Sequence, residues 1–573
     1  MKKFKIKSYF LGGFAVILFI VACKKSFLEK SPLGTLDEST LANQQGVEGL
    51  LIGAYSMLDG YGGAGGSFYA PPSNWIYGGV ASDDAYKGSD AGDQATEMNP
   101  IETLTMTAVN PAISNKWPAL YDGIQRSNDV LRVMAKATDI GANDQKRIEA
   151  ETRFLRGFYH FEAKKMWNNV PYVDETISFA NNNFNVKNNV DIWPKIQEDL
   201  QFAYTTLPET QSQVGRATKF AAAALLGKVL LYQKKYAEAK PLFDYVINSN
   251  KFTLISFADN FNAQTEKNTE SIFSVQHSVN DGSNGDNGGW GDVLNFPYGN
   301  APVGCCGFYQ PTQDLVNAFQ TDPITGLPLL DTWFATQVKN DKGLTSGTAF
   351  VPHAGTLDAR LDHTVGRRGI PFMDWGTHPG NDWIRDQSFG GPYSSKKNVI
   401  RKSQQDNLTD AAFWSKGTTA NNFTVIRFAD VLLMAAEVEV EVGSLAKAME
   451  YVNRVRARAA DPAGWVMNGG APAANYKVGL YTLFPDKDYA RKAVQFERRL
   501  ELAMEGHRFF DIVRWGIGDV VMNAYFNREK GVYQHLNAST FVKGKHEYFP
   551  IPQGQIDASV QDGSPTLTQN PGY

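Results

Sequence analysis

"RATKFAAAALLGKVLLYQKKYAEAKPLFDYVINS", residues 216–249, is the stretch on which the fold turns. Its first part, 218–232, sets Ala222, Ala223 and Ala224 beside Leu225, Leu226, Leu230 and Leu231. Alanine and leucine are strong helix formers, and small side chains let a neighbouring helix approach closely. Lys234 and Lys235 mark a polar corner, and 236–249 supplies a second helix after it. Small residues on one helix facing bulky ones on the next make a tight helical hairpin. The same design returns at 427–442, "RFADVLLMAAEVEVEV", followed by 445–459, "LAKAMEYVNRVRARA".

A hairpin of about 34 residues, with Tyr236 and Ala239 in its second helix, resembles a tetratricopeptide repeat. Working outward, apolar residues at three/four spacing predict helices near 113–136 ("WPALYDGIQRSNDVLRVM") and 143–166 ("EAETRFLRGFYHFEAKKMW"). An earlier helix starts near Ser39 and breaks into the Gly-rich loop 60–66. Between the two hairpins the composition changes. Residues 257–425 are rich in Gly, Asn, Asp and Trp, as in "HSVNDGSNGDNGGWGD" (277–292), "PYGNAPVGCCGFYQP" (297–311) and "PFMDWGTHPGNDW" (371–383). Long helices do not tolerate that composition. Loops and short strands are expected there, "ESIFSVQ" (270–276) being one strand. The expected fold class is therefore mainly α: a tetratricopeptide-like hairpin scaffold over about 39–250 and 427–515, carrying a large irregular loop-rich region with short strands over about 257–425. Loops held still by a rigid scaffold are where binding residues concentrate, so the insertion is the expected working surface.

The chain has 573 residues, 43% hydrophobic and 20% charged, enough for a large core. Its N-terminus has Lys2, Lys3, Lys5 and Lys7, then an apolar run from Tyr9 to Ala22, then Cys23. That run makes roughly 21 Å of helix, short of the roughly 30 Å bilayer core. A signal peptide over 1–22 fits better than a permanent span. "IVAC" resembles a bacterial lipoprotein processing site, which would make Cys23 the lipidated first residue of a single domain, 23–573. Removing the four lysines takes the formal charge from −4 to −8. A mildly acidic surface argues against nucleic-acid binding. Of the three cysteines, Cys305 and Cys306 are adjacent. They are poor staples between distant elements, and no disulfide framework is expected.

No HExxH, EF-hand, phosphate-binding loop or dinucleotide fingerprint is present. "DNLTD" (406–410) and "DGSNGD" (281–286) put carboxylates near small residues and could hold a structural Ca2+, but lack the alternate ligands and closing Glu of a dedicated loop. They read as solvated turns, and no cofactor is expected. In "YARKAVQFERRLELAMEGHRFFDIVRWG" (489–516), read as one helix, Glu497, Glu501 and Glu505 are four apart and share a face. Three stacked carboxylates repel unless cations answer them. A column mixed with Arg498, Arg499 and Arg508 favours ion pairs locking helices over acid/base catalysis, and His507 reads as packed. Trp117, Trp167 and Trp515 belong to helices or helix ends and are assigned to packing.

The functional signal lies in aromatic clusters with short polar side chains. Trp75, Tyr77 and Tyr86 surround Asp83 and Asp84. Trp290, Tyr298 and Tyr309 share one loop-rich segment with Phe296 and Phe308, and Trp375 and Trp383 share another. The apolar C–H face of a pyranose can lie on a ring, while its hydroxyls need Asp, Asn or Arg, because desolvated hydroxyls left unpaired are costly. The ligand-binding candidates are thus Trp75, Tyr77, Asp83, Asp84, Tyr86, Trp290, Tyr298, Tyr309, Trp375 and Trp383, with no catalytic or metal-ligating residue.

"IVACKK", "AETRFLRGFYHFEAKKMWNNVPYV", "RATKFAAAALLGKVLLYQKKYAEA", "RFADVLLMAAEVEVEVG", "FERRLELAMEGHRFFDIVRWG" and the terminal "EYFPIPQGQIDASVQDGSPTLTQNPGY" resemble, in order, the SusD/RagB family of nutrient-binding lipoproteins. The resemblance implies about four tetratricopeptide-like hairpins, a lipid anchor on the outer membrane facing outward, and non-catalytic capture of a glycan. The glycan would pass to a partner TonB-dependent, SusC-like outer-membrane transporter. Ligand aromatics are expected by region, in 75–86, 286–309 and 372–386. One departure is that Lys24 and Lys25, rather than acidic residues, follow Cys23. The same architecture binding a peptide or other non-glycan nutrient, and a secreted helical glycosidase, are the alternatives.

Overall fold

The computed structural model describes residues 38–61, 67–178, 181–397, 399–410 and 415–573. Cys23, the apolar run before it and most of the 60–66 loop lie outside the described residues. Eleven longer helices carry the architecture. They are α1 (Gln44–Ser56), α2 (Pro111–Met134), α3 (Ala142–Trp167), α4 (Trp193–Thr206), α5 (Lys219–Tyr232), α6 (Tyr236–Asn248), α7 (Phe428–Val442), α8 (Leu445–Ala460), α9 (Lys487–Leu502), α10 (Arg508–Arg514) and α11 (Gly518–Glu529).

Helix starts follow ordinary capping chemistry. The side chains of Asn110, Thr218 and Asp486 each accept a first-turn backbone N–H of α2, α5 and α9. The helices pair as α1/α2, α3/α4, α5/α6 and α7/α8, and each hairpin packs on the next. Buried Ala222, Ala223, Ala224, Leu225 and Leu226 make α5 apolar all round, as befits a helix enclosed by neighbours. Gly227 sets the closeness of its hairpin: a Cβ there would lie 2.7 Å from the Phe243 ring on α6. These are the hairpins expected at 218–249 and 427–459, with ends shifted by no more than a residue or two.

Residues 257–425 contain, among the described residues, no helix longer than Gln313–Ala318. They hold short strands and turns. Strand β2 (Ser271–Val275) pairs antiparallel with β4 (Phe423–Arg427), closing the insertion at its base beside α7. Strand β1 (Ala85–Gly88), from the N-terminal half, pairs antiparallel with β3 (Phe308–Pro311), with Tyr86 opposite Gln310 and Gly88 opposite Phe308. His277 makes a further tie: its ring contacts the Asp59 carboxylate at 2.9 Å and the Asn421 carbonyl at 2.8 Å.

The charge-dense segment departs from the single helix expected. It runs as α9, breaks over 503–507 and resumes as α10, so Glu505 lies beyond the helix that carries Glu497 and Glu501. Met504 and Gly506 have φ of 63° and 73°. The cause is a backbone-to-backbone approach. A Cβ on Gly506 would stand 1.9 Å from the Ser73 carbonyl oxygen, and one on Gly78 would stand 1.8 Å from that of Gly506. Only glycine fits such a crossing.

The three glutamates nonetheless join one buried ionic network. Arg360 reaches Glu497 at 2.7 Å and Glu501 at 3.0 Å, and Arg456 reaches Glu497 at 2.8 Å. Arg427 holds Glu270 at 3.0 Å and Glu505 at 2.8 Å, and bonds Glu501 as well. Burial alone would raise the Glu501 carboxyl, but Arg458, Arg427 and Arg360 hold it well below the ordinary carboxylate range. Ion pairs locking the helices are what the sequence pattern favoured.

Candidate functional site

The β1/β3 ladder decides which loops meet. Because its strands run antiparallel, the chain leaving β1 at Gly88 and the chain entering β3 at Phe308 lie at one end. Ser89 donates its backbone N–H to the Gly307 carbonyl at 2.6 Å, joining the 89–94 loop to the 298–307 loop. A third loop, 372–386, joins them when Tyr298 donates its N–H to the Trp383 carbonyl at 3.0 Å.

The result is a ledge of rings on a small apolar core of its own. Phe296, Phe372 and Val399 are buried, and Trp375, Trp383, Met373, Val303 and Cys305 pack half-buried against them. Trp375 is held by its indole N–H to the Ile400 carbonyl at 2.8 Å, and Trp383 lies edge-on to Phe372 at 5.5 Å. Tyr298 is 37% exposed. Cys305 and Cys306 form a disulfide with each other, and a backbone bridge sets Cys305 beside Tyr298. A disulfide between neighbours ties no distant elements together; it stiffens one turn and presents sulfur and methylene groups. It is thus no framework, in keeping with the reading of the sequence.

Polar groups stand beside the rings. The Arg385 guanidinium lies 5.3 Å from the centre of the Tyr298 ring. It bonds Asp90 at 2.8 Å, the Ser89 hydroxyl at 2.8 Å and the Asp93 carboxylate. Lys87 is buried beneath, donating its ammonium to the carbonyls of Asp90 at 2.7 Å and Asp93 at 2.6 Å. Burial would raise the Asp90 carboxyl, but the N–H groups of Asp93 and Gly92, together with Arg385 and Lys87, hold it below its ordinary value. Asn300, Asn381 and Asp382 are exposed nearby in the chain. Rings flanked by carboxylate, amide and guanidinium groups can take a ligand with apolar faces and many hydroxyls.

Of the ten predicted ligand residues, the structure gathers three here: Tyr298, Trp375 and Trp383. The other seven are buried, a correction to their place on an exposed platform. Trp75 donates its indole N–H to the Gly291 carbonyl at 2.8 Å and packs against Tyr309, 5.5 Å away. Tyr77 donates to the carbonyls of Tyr69 and Ala112, and Tyr86 donates to Glu529 at 2.9 Å. Trp290 packs on Phe68. Asp83 is paired with Arg508 at 2.8 Å and Arg499 at 2.9 Å, and Asp84 with Arg499 at 3.0 Å. Burial pushes both acids upward; the two arginines overcome it and hold Asp83 well down, whereas Asp84 ends above the usual range. These groups are structural locks.

Asp90, Asp93, Arg385 and the cysteine pair stand beside the rings of the ledge and are not among the ligand residues singled out from the sequence. The adjacent cysteines, two residues before Phe308, were the available signal. Two clefts lie elsewhere. One of about 730 Å³ is lined by Trp333, Phe334, Phe496 and Trp515, and one of about 720 Å³ by Trp117, Tyr121 and Phe184. In the first, Arg499, Arg508 and Arg528 are already engaged by Asp83 and Asp314.

Comparison with known proteins settles the family. The SusD family profile matches residues 269–573, more than half of the chain. The chain belongs to the SusD family. A second profile of the group, described as starch-binding and associating with the outer membrane, matches residues 27–231. The chain is 25% identical over 566 residues to SusD-like protein P25 of Formosa agariphila, covering 95% of this chain and 96% of that one. It is 22% identical over 608 residues to a SusD-like protein of Bacteroides ovatus, covering 97% and 94%. Among solved structures, a SusD-like protein of Bacteroides fragilis superposes with a TM-score of 0.69 at 21% identity, covering 95% and 100%. A laminarin-binding SusD-like protein superposes at 0.65 and 24%, covering 93% and 100%. SusD proteins are outer-membrane lipoproteins facing the cell surface; they bind rather than transform their ligands and pair with SusC-like TonB-dependent transporters. Among the described residues no helix is long and apolar enough to cross a membrane.

Proposed function

We propose that this SusD protein captures an oligo- or polysaccharide on the ledge of Tyr298, Trp375, Trp383 and the Cys305–Cys306 disulfide. It then hands the glycan to a SusC-like transporter, while a lipid on Cys23 holds the domain at the membrane. The observation that carries this reading is the convergence of three loops at one end of the β1/β3 ladder, bringing half-buried rings beside Arg385, Asp90 and Asp93. Half-buried rings keep an apolar surface in place at little entropic cost, and the paired acids and arginine remain available to hydroxyls. The name of the laminarin-binding relative and the starch-binding description of the N-terminal profile support a glycan as the ligand class. The domain organisation follows the same reading: hairpins as framework, the 257–425 insertion with the 89–94 loop as working surface.

Calorimetry of the mature chain against a panel of polysaccharides and peptides tests it. The expected result is binding of at least one polysaccharide and loss of about 1 kcal/mol or more on Tyr298→Ala or Trp383→Ala, with the fold retained. Peptide binding alone, or full glycan affinity in both variants, would overturn it. Purification with the native anchor should recover the transporter as a partner, and Cys23→Ser should release the domain from the membrane fraction.

A further inference from the structure

The charges around the ledge bear on which glycans it takes. The Arg385 cation faces two carboxylates, Asp90 and Asp93, both of which it bonds. Beneath them the Lys87 ammonium is buried and donates to backbone carbonyls, away from solvent. Asp382 and Asp386 flank Arg385 in the chain, Asp382 exposed in the short helical turn 381–383 and Asp386 accepting from Ser388 at the start of the next one, 387–390. Around Arg385 the polar side of the platform therefore carries more acid than base. Its cation is already matched, and its carboxylates can accept hydrogen bonds.

We infer that the ledge selects an uncharged glycan and turns away uronate-bearing or sulfated ones, with Asp90, Asp93 and Asp382 as the residues that set this preference. The inference rests on the glycan reading of the platform. A sugar hydroxyl can donate to Asp90 or Asp93 and accept from Arg385 without disturbing their pairing. An anionic substituent meets like charge instead, and can gain Arg385 only by displacing an existing partner. Like-charge juxtaposition is a common way for a site to reject a competitor of similar shape. The exclusion is electrostatic, so it weakens as salt screens the rim.

The test uses the mature chain and matched probes: laminarin with its C6-carboxylated derivative, galactan with its sulfated counterpart, and arabinoxylan with glucuronoxylan. Titration calorimetry at low salt should show a neutral member binding and its anionic counterpart at least about tenfold weaker. The ratio should shrink in roughly 0.5 M salt, where the screening length is only a few ångströms. Asp382→Asn, at an exposed position, should narrow the ratio without affecting the fold, and Asp90→Asn with Asp93→Asn should narrow it further. An anionic glycan bound as tightly as its neutral counterpart, with binding lost in Tyr298→Ala, would overturn the charge rule while leaving the platform standing. Binding of no polysaccharide by the folded chain would overturn the platform and this inference with it.

Discussion

Two regions of this protein are built from the same side chains and behave in opposite ways. Around Asp83 and Asp84, aromatic rings and acids meet arginines in full burial, and each charge is matched by an opposite one. At the ledge, Tyr298, Trp383, Asp90, Asp93 and Arg385 repeat that vocabulary at the surface. The contrast shows that aromatic-plus-acid composition does not mark a ligand site. What separates the two is whether a distant helix arrives to cover them. Arg499 and Arg508, on α9 and α10, cover the first pair; the arginine against Tyr298, Arg385, comes from a loop and leaves the ring 37% exposed.

The contrast can be broken hardest in the buried region. Arg427→Ala removes the one cation that pairs with all three of Glu270, Glu501 and Glu505, leaving Arg458, Arg360 and Lys397 to answer them piecemeal, and removing one partner of a buried ionic cluster costs about 3–5 kcal/mol. A sharp fall in melting temperature, or loss of soluble protein, is expected in thermal unfolding. Retained stability would show that the network is dispensable.

The joint between the scaffold and the insertion comes next. Burial would lower the pKa of His277, but the Asp59 carboxylate raises it to about 9. Its contribution to stability is fully present below the ordinary histidine value near 6.5 and is lost as pH rises through about 9. Denaturant unfolding should show a loss of up to ~3 kcal/mol across that window, absent in His277→Gln. An identical pH profile in the two proteins would exclude a charged histidine at this joint.

Smaller effects belong to the ledge. Tyr298→Ala with Trp383→Ala should leave the melting temperature within a few degrees, because both rings are partly solvent-facing, yet weaken glycan binding by ~2 kcal/mol. Trp75→Ala should do the reverse, losing stability from a filled core position and affecting binding only through the fold. The smallest change is expected from Cys305→Ser with Cys306→Ser. A cross-link between neighbours closes no long loop, so stability should move by less than about 1 kcal/mol. Binding should fall severalfold as the turn beside Tyr298 loosens.

The scaffold was legible in the sequence because it is local. The three/four spacing and the small-residue faces of 218–249 and 427–459 record which side of each helix is buried, and the observed helices follow. The break at 503–507 was not legible: its cause is the Ser73–Gly78 backbone, more than four hundred residues away in the chain. The site was legible only by region. An aromatic residue in a glycine- and asparagine-rich loop suggests exposure only while the loop is taken to be surface. Trp75, Tyr86, Trp290 and Tyr309 lie in segments that became core once β1 paired with β3. Arg385 and the Asp90–Asp93 turn left no periodic trace, since their meeting depends on three loops converging.

The crossing of Gly506 with the 73–78 turn, and the pairing of Arg508 with Asp83 across 425 residues, also govern when the molecule can finish folding. The hairpins α3/α4 and α5/α6 pack mainly on chain neighbours, as Arg156 does on Asp199, and can begin to form while the chain is still being made, although Trp167 and Lys228 wait for Pro550 and Asp430. Asp83, Asp84 and Tyr86 cannot: the arginines and Glu529 that satisfy them are synthesised near the end. Until then the N-terminal half carries acids and rings destined for the interior with nothing to receive them. A nascent or truncated chain ending before about residue 500 is therefore a half-closed protein, dependent on protection until its last helices emerge.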